Sequence, residues 1–244
     1  MTESDSTQEE PQANWMRSRI NSLWNTNVYG RLLFVLVVFF ISVAAIHHTT
    51  IGIVIGDILL FLVSFIIAHA FFRHHKLVYS VYVISAMFAS TLDATSMLFF
   101  TGSGRKDLAL LAAICYAALL LAAILILSRR LNLQRHVTLD MVRGGICVYL
   151  LVALLWYLFF AIVDSINPGS FHYDYGSSGS YDLLYFSFCT ITTVGYGDIV
   201  PLHRLAKVLS NLEAMIGQMF PAVFIARLVS LYVISRVEDQ KLTE

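Results

Sequence analysis

The most distinctive segment of the chain is a run of seven residues in which glycines alternate with larger side chains. The run reads Thr192-Thr193-Val194-Gly195-Tyr196-Gly197-Asp198. Gly195 and Gly197 accept positive φ without the steric cost that a Cβ brings. Successive backbone carbonyls can therefore all turn to one side, and such a row of oxygens suits a cation stripped of its water. Val194 and Tyr196 are expected to point the other way and wedge the strand against its surroundings.

The composition of the chain indicates that the elements supporting this run lie in a membrane. Of 244 residues, 58% are hydrophobic and only 13% are charged, which excludes an ordinary soluble domain. The net charge is zero, and no basic tract suggests nucleic-acid binding. The apolar runs predict six membrane spans: Arg31–Ile46, Ile51–Phe72, Leu77–Phe100, Leu108–Leu127, Gly144–Val163 and Leu205–Ile234. A further segment, Tyr181–Ile191, is too short to span and predicts a re-entrant helix.

The distribution of basic residues predicts the orientation of these spans. With the N-terminus in the cytoplasm, eleven Lys and Arg residues lie inside and four lie outside, while Arg227 falls within the last span. This bias favours a multi-pass protein of the cell (inner) membrane with both termini cytoplasmic. The tails are then residues 1–30 and 237–244, and we expect no attached soluble ligand-binding domain.

The segment Tyr181–Arg236 resembles the pore of potassium channels, and Thr193–Gly197 is identical to their filter sequence. The resemblance is greatest to prokaryotic potassium channels with six-helix subunits. It implies an all-α membrane protein with six transmembrane helices, a re-entrant pore helix and a filter loop in each chain. Because one chain carries one filter strand and a filter needs four, it also implies a homotetramer. The ion-binding carbonyls are then those of Thr193, Val194, Gly195 and Tyr196, with K+ as the permeant ion, no other cofactor, and lipid around the protein.

The same resemblance assigns supporting roles to residues beside the filter. Thr192 precedes the filter, and Asp198 follows it at the outer mouth. Tyr185 and Phe186 occupy positions where potassium channels commonly carry two tryptophans, and Tyr185 is expected to hydrogen-bond Asp198. Cys189 stands where many relatives carry Glu or an aliphatic residue, so no carboxylate pair is expected behind the filter.

The last span carries two features that suggest gating. Gly217 matches the hinge glycine of potassium-channel inner helices, and Pro221 removes a helical hydrogen bond one turn later. Close packing at Gly217 and a static kink at Pro221 are the alternative. Below them Ile225, Val229 and Val233 recur every four residues and predict either an apolar inner mouth or a contact with a neighbouring helix.

The first four spans, residues 31–128, resemble a voltage-sensor bundle without its gating charges. The fourth span contains no Lys or Arg, and Arg129 and Arg130 lie beyond its inner end. Since a steep voltage response needs several charges in the field, a conventional voltage sensor is not expected. Residues 129–143 then link the bundle to the pore domain at 144–236. Their apolar residues predict either a short interfacial helix or a simple connection.

Four polar residues in the bundle are candidates for modulation. They are Asp57, Asp93, His47 and His48. The two carboxylates fall near the outer ends of spans, where Arg105 or Lys106 would pair with them, and a structural ion pair there is the alternative. The adjacent histidines suggest an effect of extracellular pH, or they are ordinary polar loop residues.

The sequence therefore predicts a potassium-selective channel that passes ions passively and lacks a conventional voltage sensor. Two alternatives are a non-conducting regulatory subunit with a channel fold and a potassium transporter subunit. Transporters of that kind place four degenerate filter hairpins in one chain, whereas this chain has one complete filter. No enzyme is expected, because the sequence has neither an HExxH nor a Gly-x-Ser-x-Gly motif.

Overall fold

The computed structural model of the chain describes residues 28–46, 50–71, 76–99, 103–174 and 180–241. Within these residues the chain is mostly helical, and each predicted span coincides with a helix, although Phe72 and Phe100 lie outside the described part. The elements are α1 (Val28–Ile46), α2 (Thr50–Phe71), α3 (Lys76–Phe99), α4 (Ser103–Leu133), α5 (Leu139–Ile166), β1 (Phe171–Tyr173), α6 (Ser180–Ile191), β2 (Ile199–Pro201) and α7 (Arg204–Lys241).

Among the described residues, three helices are long and apolar enough to cross a bilayer. These are α4 over Lys106–Leu133, α5 over its whole length, and α7 over Arg204–Val237. Shorter apolar stretches lie in α1 and α2, and α6 is a short apolar helix that cannot span. The crossing of the membrane by α1, α2 and α3 therefore stays a prediction.

The helices pack as a bundle joined to a pore unit through α5. α1 contacts α2 and α5, α3 contacts α2 and α4, and α4 lies along α5 of the same chain. α5 contacts α6 and α7 on its other side. One core of buried side chains, including Leu36, Val63, Leu120 and Leu151, runs through the bundle into α5. Because lipid is as apolar as these side chains, close packing rather than exclusion from water holds such helices together.

The link between the bundle and the pore is shorter than residues 129–143 suggested. α4 continues through the basic residues to Leu133, and only residues 134–138 separate it from α5. The apolar residues on which an interfacial helix would rest are Leu133, Val137 and Met141, and they fall at the end of α4, in the connection and in α5. Leu133 and Val137 are exposed while Met141 is buried, so the three do not share one helical face. Between α4 and α5 the structure therefore has a five-residue connection, residues 134–138, without a helix of its own.

Local signals explain where α5 begins and ends. The side chain of Thr138 accepts a hydrogen bond from the backbone N–H of Met141 at 3.1 Å, and Asp140 lies in the first turn near the positive end of the helix dipole. At the other end the backbone N–H of Asn167 bonds the carbonyl of Val163 at 2.9 Å. The helix is therefore capped at both ends by its own neighbours.

A two-stranded ribbon beyond α5 was not predicted from the sequence. β1 pairs antiparallel with β2, and Phe171 stands opposite Pro201. α5 extends to Ile166, and β1 follows it after a short turn. Strands of three residues carry too little alternation to be recognised in a sequence. The ribbon joins the chain before the pore helix to the chain after the filter.

Candidate ion-conduction site

The filter segment alternates in backbone conformation. Thr193, Gly195 and Gly197 have φ of +60°, +56° and +85°, whereas Val194 and Tyr196 between them do not have positive φ. In an extended strand successive carbonyls point in opposite directions, and a change in the sign of φ at every second residue turns them to the same side. Glycine accepts this conformation freely, whereas Thr193 carries about 1–3 kcal/mol of strain that its surroundings must offset.

The C-terminal carbonyls of α6 hold the first residues of the filter. The last carbonyls of a helix have no partner within it, and here backbone N–H groups of the following residues supply partners. The bonds run from Thr192 to Phe188 (3.1 Å), from Thr193 to Thr190 (3.0 Å), from Val194 to Cys189 (2.9 Å) and from Gly195 to Cys189 (3.2 Å). The start of the filter is therefore fixed to the pore helix by main-chain hydrogen bonds.

The last carbonyl of α6, that of Ile191, is held from two sides. The hydroxyl of Tyr149 on α5 donates a hydrogen bond to it at 3.1 Å. Gly217 on α7 lies so close that a Cβ added there would stand 2.0 Å from the carbonyl oxygen. Only glycine allows this approach, so the predicted hinge residue is a point of close packing between the inner helix and the base of the filter.

Behind the pore helix, a buried carboxyl group joins α6 to α7. The Ser187 hydroxyl lies 2.8 Å from the carbonyl oxygen of Ala153 and 2.5 Å from Oε1 of Glu213. Glu213 is completely buried, and its Oε2 has no hydrogen-bond partner among the described residues. The Ser187 hydroxyl has one hydrogen and can donate it to only one of these two oxygens. Both contacts are therefore hydrogen bonds only when the Glu213 carboxyl is protonated and donates its own hydrogen to the Ser187 oxygen.

The outer end of the filter is supported by Tyr185. Its hydroxyl lies within hydrogen-bonding reach of both Asp198 and Cys189, and its ring stacks parallel to that of Tyr196 at 6.2 Å between centroids. Tyr196 is nevertheless 72% exposed in the single chain. The structure thus brings together four residues that the sequence had assigned to the filter and its support.

The ribbon braces the same end from outside. The backbone N–H of Asp174, just after β1, donates to the carbonyl of Asp198 at 3.0 Å. Tyr173 lies in this ribbon outside the membrane-spanning segments. Its burial raises the pKa of its hydroxyl above the usual value, and the carboxylates of Asp164 and Asp182 act in the same direction.

Phe186 supports the pore helix through an aromatic cluster. Its ring lies 5.1 Å from that of Phe160 on α5 and 5.3 Å from that of Phe171 on β1, both in edge-to-face geometry. Trp156 extends the cluster along α5 at 6.3 Å from Phe160. Such pairs are worth about 0.5–1.5 kcal/mol each beyond their burial. The cluster connects the outer helix, the pore helix and the ribbon.

The lower half of the inner helix is largely uncovered in the single chain. The helix continues through Pro221 without interruption. Ile225, Val229 and Val233 are 58%, 56% and 52% exposed. Their exposure agrees with both interpretations of the stripe, an apolar inner mouth and a contact with a neighbouring helix.

Arg227 joins the inner helix to the end of α4. Its guanidinium donates to the carbonyls of Leu131 at 3.0 Å, Asn132 at 2.6 Å and Gln134 at 3.4 Å, and also to the side chain of Asn132. Carbonyls at a helix C-terminus attract cations, and a planar guanidinium can reach several of them at once. Arg227 therefore attaches the C-terminal end of α4 to the inner helix.

Of the predicted modulatory residues, the structure describes the side chain of Asp93 alone. Among the described side chains, Asp93 and Lys106 form no ion pair. Lys106 instead acts electrostatically on Asp164 at the outer end of α5. His47 and His48, and the side chains of Asp57 and Arg105, lie outside what the structure describes.

Comparison with known proteins places the similarity in this part of the chain. Residues 145–233 match the model of the family described as "Ion channel". The chain is 34% identical over 91 residues to the two pore potassium channel a of Oryza sativa subsp. japonica, which is 37% of this chain and 24% of that protein. It is 36% identical over 62 residues to the inward rectifier potassium channel Kirbac3.1 of Paramagnetospirillum magnetotacticum, which is 25% of this chain and 18% of that protein.

The family match covers residues 145–233, and all three matches stop short of the whole chain. The chain spans only about a quarter and a fifth of the length of these two relatives. No solved structure gives a significant match. Residues 145–233 are therefore similar to the family described as "Ion channel", the chain is similar in part to two potassium channels, and the matched proteins are channels, not enzymes.

Several residues around the site were not found from the sequence. Tyr149 and Phe171 contact the pore helix or its end, and Ser187 on the pore helix contacts α5 and α7, and no local pattern marks any of the three. Arg227 had one signal, because a charged residue within an apolar helix requires a partner. That signal does not identify the partner, which is a set of main-chain carbonyls more than ninety residues earlier.

Proposed function

We propose that the protein is a potassium-selective channel through which K+ passes passively along its gradient. The observation that carries the proposal is the alternating positive φ at Thr193, Gly195 and Gly197 in a segment with the complete potassium filter sequence. Rings of such carbonyls replace the hydration shell of the ion. The relatives' names agree, since both are potassium channels.

The proposed assembly is a homotetramer in the cell membrane with both termini in the cytoplasm. A single chain offers one strand of a filter that needs four. It also exposes the Val194 and Tyr196 side chains and most apolar side chains of α7 below Gly217. Neighbouring copies around a four-fold axis would pack against these side chains at the filter and at the inner helices, and lipid would cover the apolar surface that remains.

The proposed channel has no conventional voltage sensor. The part of α4 between Leu108 and Leu127 contains no basic residue, and Arg129 and Arg130 at its end are exposed. A charge that crosses the whole field contributes about 2.3 kcal/mol per 100 mV. Residues that stay at the membrane edge cross little of the field, so opening is expected to depend weakly on voltage.

The test is a reversal potential measured on purified full-length protein in a planar bilayer, with K+ on one side and Na+ on the other. A hundredfold preference for K+ corresponds to a reversal near 120 mV, since a tenfold ratio corresponds to about 59 mV for one charge. Open probability is recorded at positive and negative voltages in the same membrane. A reversal near zero would refute the filter assignment, and a steep voltage dependence would refute the claim about α4.

A matched pair of glycine variants sharpens this test. Gly195→Ala meets no atom of its own chain within 4 Å, so within the chain its effect comes from the positive φ, and it is expected to abolish selectivity. Gly56→Ala on α2 is the control, because the added Cβ makes only an ordinary contact at 3.9 Å with Val43. If the protein were a non-conducting subunit, the parent and both variants would carry no current.

A further inference from the structure

Three helices of the pore meet at Ser187, one turn before the end of the pore helix. Its hydroxyl on α6 lies 2.8 Å from the carbonyl oxygen of Ala153 on α5 and 2.5 Å from Oε1 of Glu213 on α7. The next two residues of α6, Phe188 and Cys189, supply carbonyls that hold the start of the filter. The contacts of Ser187 therefore determine where these carbonyls lie.

A proton on Glu213 completes the hydrogen bonds at this point. With the proton, the carboxyl group donates to the Ser187 oxygen, and the Ser187 hydroxyl donates to the carbonyl of Ala153. Without it, the Ser187 hydrogen must turn toward the carboxylate. The 2.8 Å contact with Ala153 would then bring two acceptor oxygens together with no hydrogen between them. Loss of the proton therefore detaches the pore helix from α5.

The surroundings of Glu213 favour the neutral form for a second reason. The side chain is 0% exposed, and no described residue provides a hydrogen bond to its Oε2. Glu213 also forms no ion pair in the part of the chain that the structure describes. A buried carboxylate that lacks a cation and leaves one oxygen unpaired is far more costly than a neutral acid. The unpaired oxygen and the hydrogen count at Ser187 thus point the same way.

The helices packed against Glu213 carry other ionisable groups. Tyr149 on α5 interacts with Glu213 electrostatically, whereas α6 contacts it through Ser187, which does not titrate. The ionisable side chains that the structure describes on α6 and in the first three turns of α7, besides Glu213, are Asp182, Tyr185, Cys189, Arg204 and Lys207. Any of these groups that titrates in alkali would still do so after Glu213 is replaced, so a Glu213 variant identifies its own contribution.

We infer, on the basis of the proposed function, that Glu213 is a proton-binding site whose proton positions the filter and maintains the preference of the channel for K+. The proton joins Glu213 to Ser187 and Ser187 to Ala153. Its removal in alkali releases the last turn of α6 from α5 and leaves an unpaired charge beside the pore helix. Glu213 touches no filter residue, so it acts through the pore helix as a positioning residue.

The first measurement is the infrared spectrum of the purified full-length protein between about pH 6 and about pH 10, which covers the values of about 8–9 documented for buried glutamates. A protonated carboxylic acid has a carbonyl band that a carboxylate lacks. The difference spectrum between the parent and Glu213→Gln is expected to contain this band at neutral pH and to lose it in alkali. Asp107→Asn, which removes an exposed carboxylate at the start of α4, is the control and should keep the band.

The second measurement is the K+/Na+ reversal potential over the same pH range. One hydrogen bond shifts an equilibrium by about tenfold, so the K+ preference of the parent is expected to fall by about that factor in alkali. This fall moves the reversal potential by about 59 mV toward zero. Glu213→Gln keeps a neutral donor toward Ser187 and should show no fall. Ser187→Ala removes the link at every pH and should show the lowered preference already at neutral pH.

Three outcomes would overturn the inference. They are the absence of an acid band that depends on Glu213, a K+ preference of the parent that stays constant to about pH 10, and an equal fall in Glu213→Gln, which would assign the titration to another group.

If the parent carries no current, the proposed function fails, and amide hydrogen exchange of residues 192–195 replaces the reversal potential. The N–H groups of these residues bond the end of α6. Their exchange should be about tenfold faster in the parent than in Glu213→Gln in alkali and equal in the two proteins at neutral pH. Equal exchange at both pH values would overturn the positioning role.

Discussion

Replacement of Gly217 by alanine separates the two roles proposed for this residue. If Gly217 is a hinge, alanine stiffens the helix and changes gating, while the filter is unaffected. Alanine is then favoured in the helix by about 1 kcal/mol, so the protein would gain stability. If Gly217 is a packing point, the added Cβ meets the carbonyl of Ile191, and both stability and the filter suffer.

The structure gives the size of the second effect. The Cβ would stand 2.0 Å from the carbonyl oxygen and 2.8 Å from its carbon, and this carbonyl must move by about 1 Å to reach even the shortest separation seen in proteins. Its oxygen also accepts the 3.1 Å bond from Tyr149, which the movement would lengthen. Overpacking costs roughly 1–3 kcal/mol, and the weakened bond about 0.5–1.5 kcal/mol. Against a helix gain of about 1 kcal/mol, the net loss is about 0.5–3.5 kcal/mol per chain.

The assays are the thermal dissociation of the purified assembly in detergent and the K+/Na+ reversal potential in bilayers. Gly217→Ala is expected to lower the dissociation temperature and to move the reversal potential toward zero. Gly56→Ala, on the face of α2 where a methyl group fits, is the control for the substitution itself. A Gly217→Ala protein as stable and as selective as its parent would refute the packing role, whatever its gating.

Three more predictions concern the contacts around the pore. Glu213→Gln keeps a donor toward Ser187, so its dissociation temperature should equal that of the parent, whereas Glu213→Ala should lower it. An equal fall in dissociation temperature in both variants would mean that the carboxylate charge is required. Arg227→Gln should speed amide hydrogen exchange of residues 131–138 by about tenfold, while Arg236→Gln should not; unchanged exchange would refute the link between the bundle and the inner helix. Tyr185→Phe should shorten the time for which the channel conducts after opening, in single-channel records, because it removes the hydroxyl beside the outer filter; conduction as long as in the parent would show that this hydroxyl is dispensable.

The helices were predictable because hydropathy is a local property, whereas the filter assignment rests on a specific sequence and stays a prediction. The ends of α4 were harder to predict. The apolar run predicted Leu108–Leu127, whereas the helix spans Ser103–Leu133, because polar residues with high helix propensity continue it beyond the apolar run. The ribbon was missed because each strand is only three residues long. The structure places Glu213 against Ser187, a partner that only the packing of α6 on α7 reveals.

The contacts at the base of the filter also bear on where the inner helix can bend. A bend at Gly217 would have to separate it from Ile191, whose carbonyl is fixed in turn by Tyr149. Glu213, one turn earlier, is held by Ser187, so this upper part of α7 and the pore helix form one unit. Pro221 lacks the N–H that would bond the carbonyl of Gly217, and below it the helix is largely exposed. A bend that begins at Pro221 would leave the filter intact, so the proline is the better site for a gating movement.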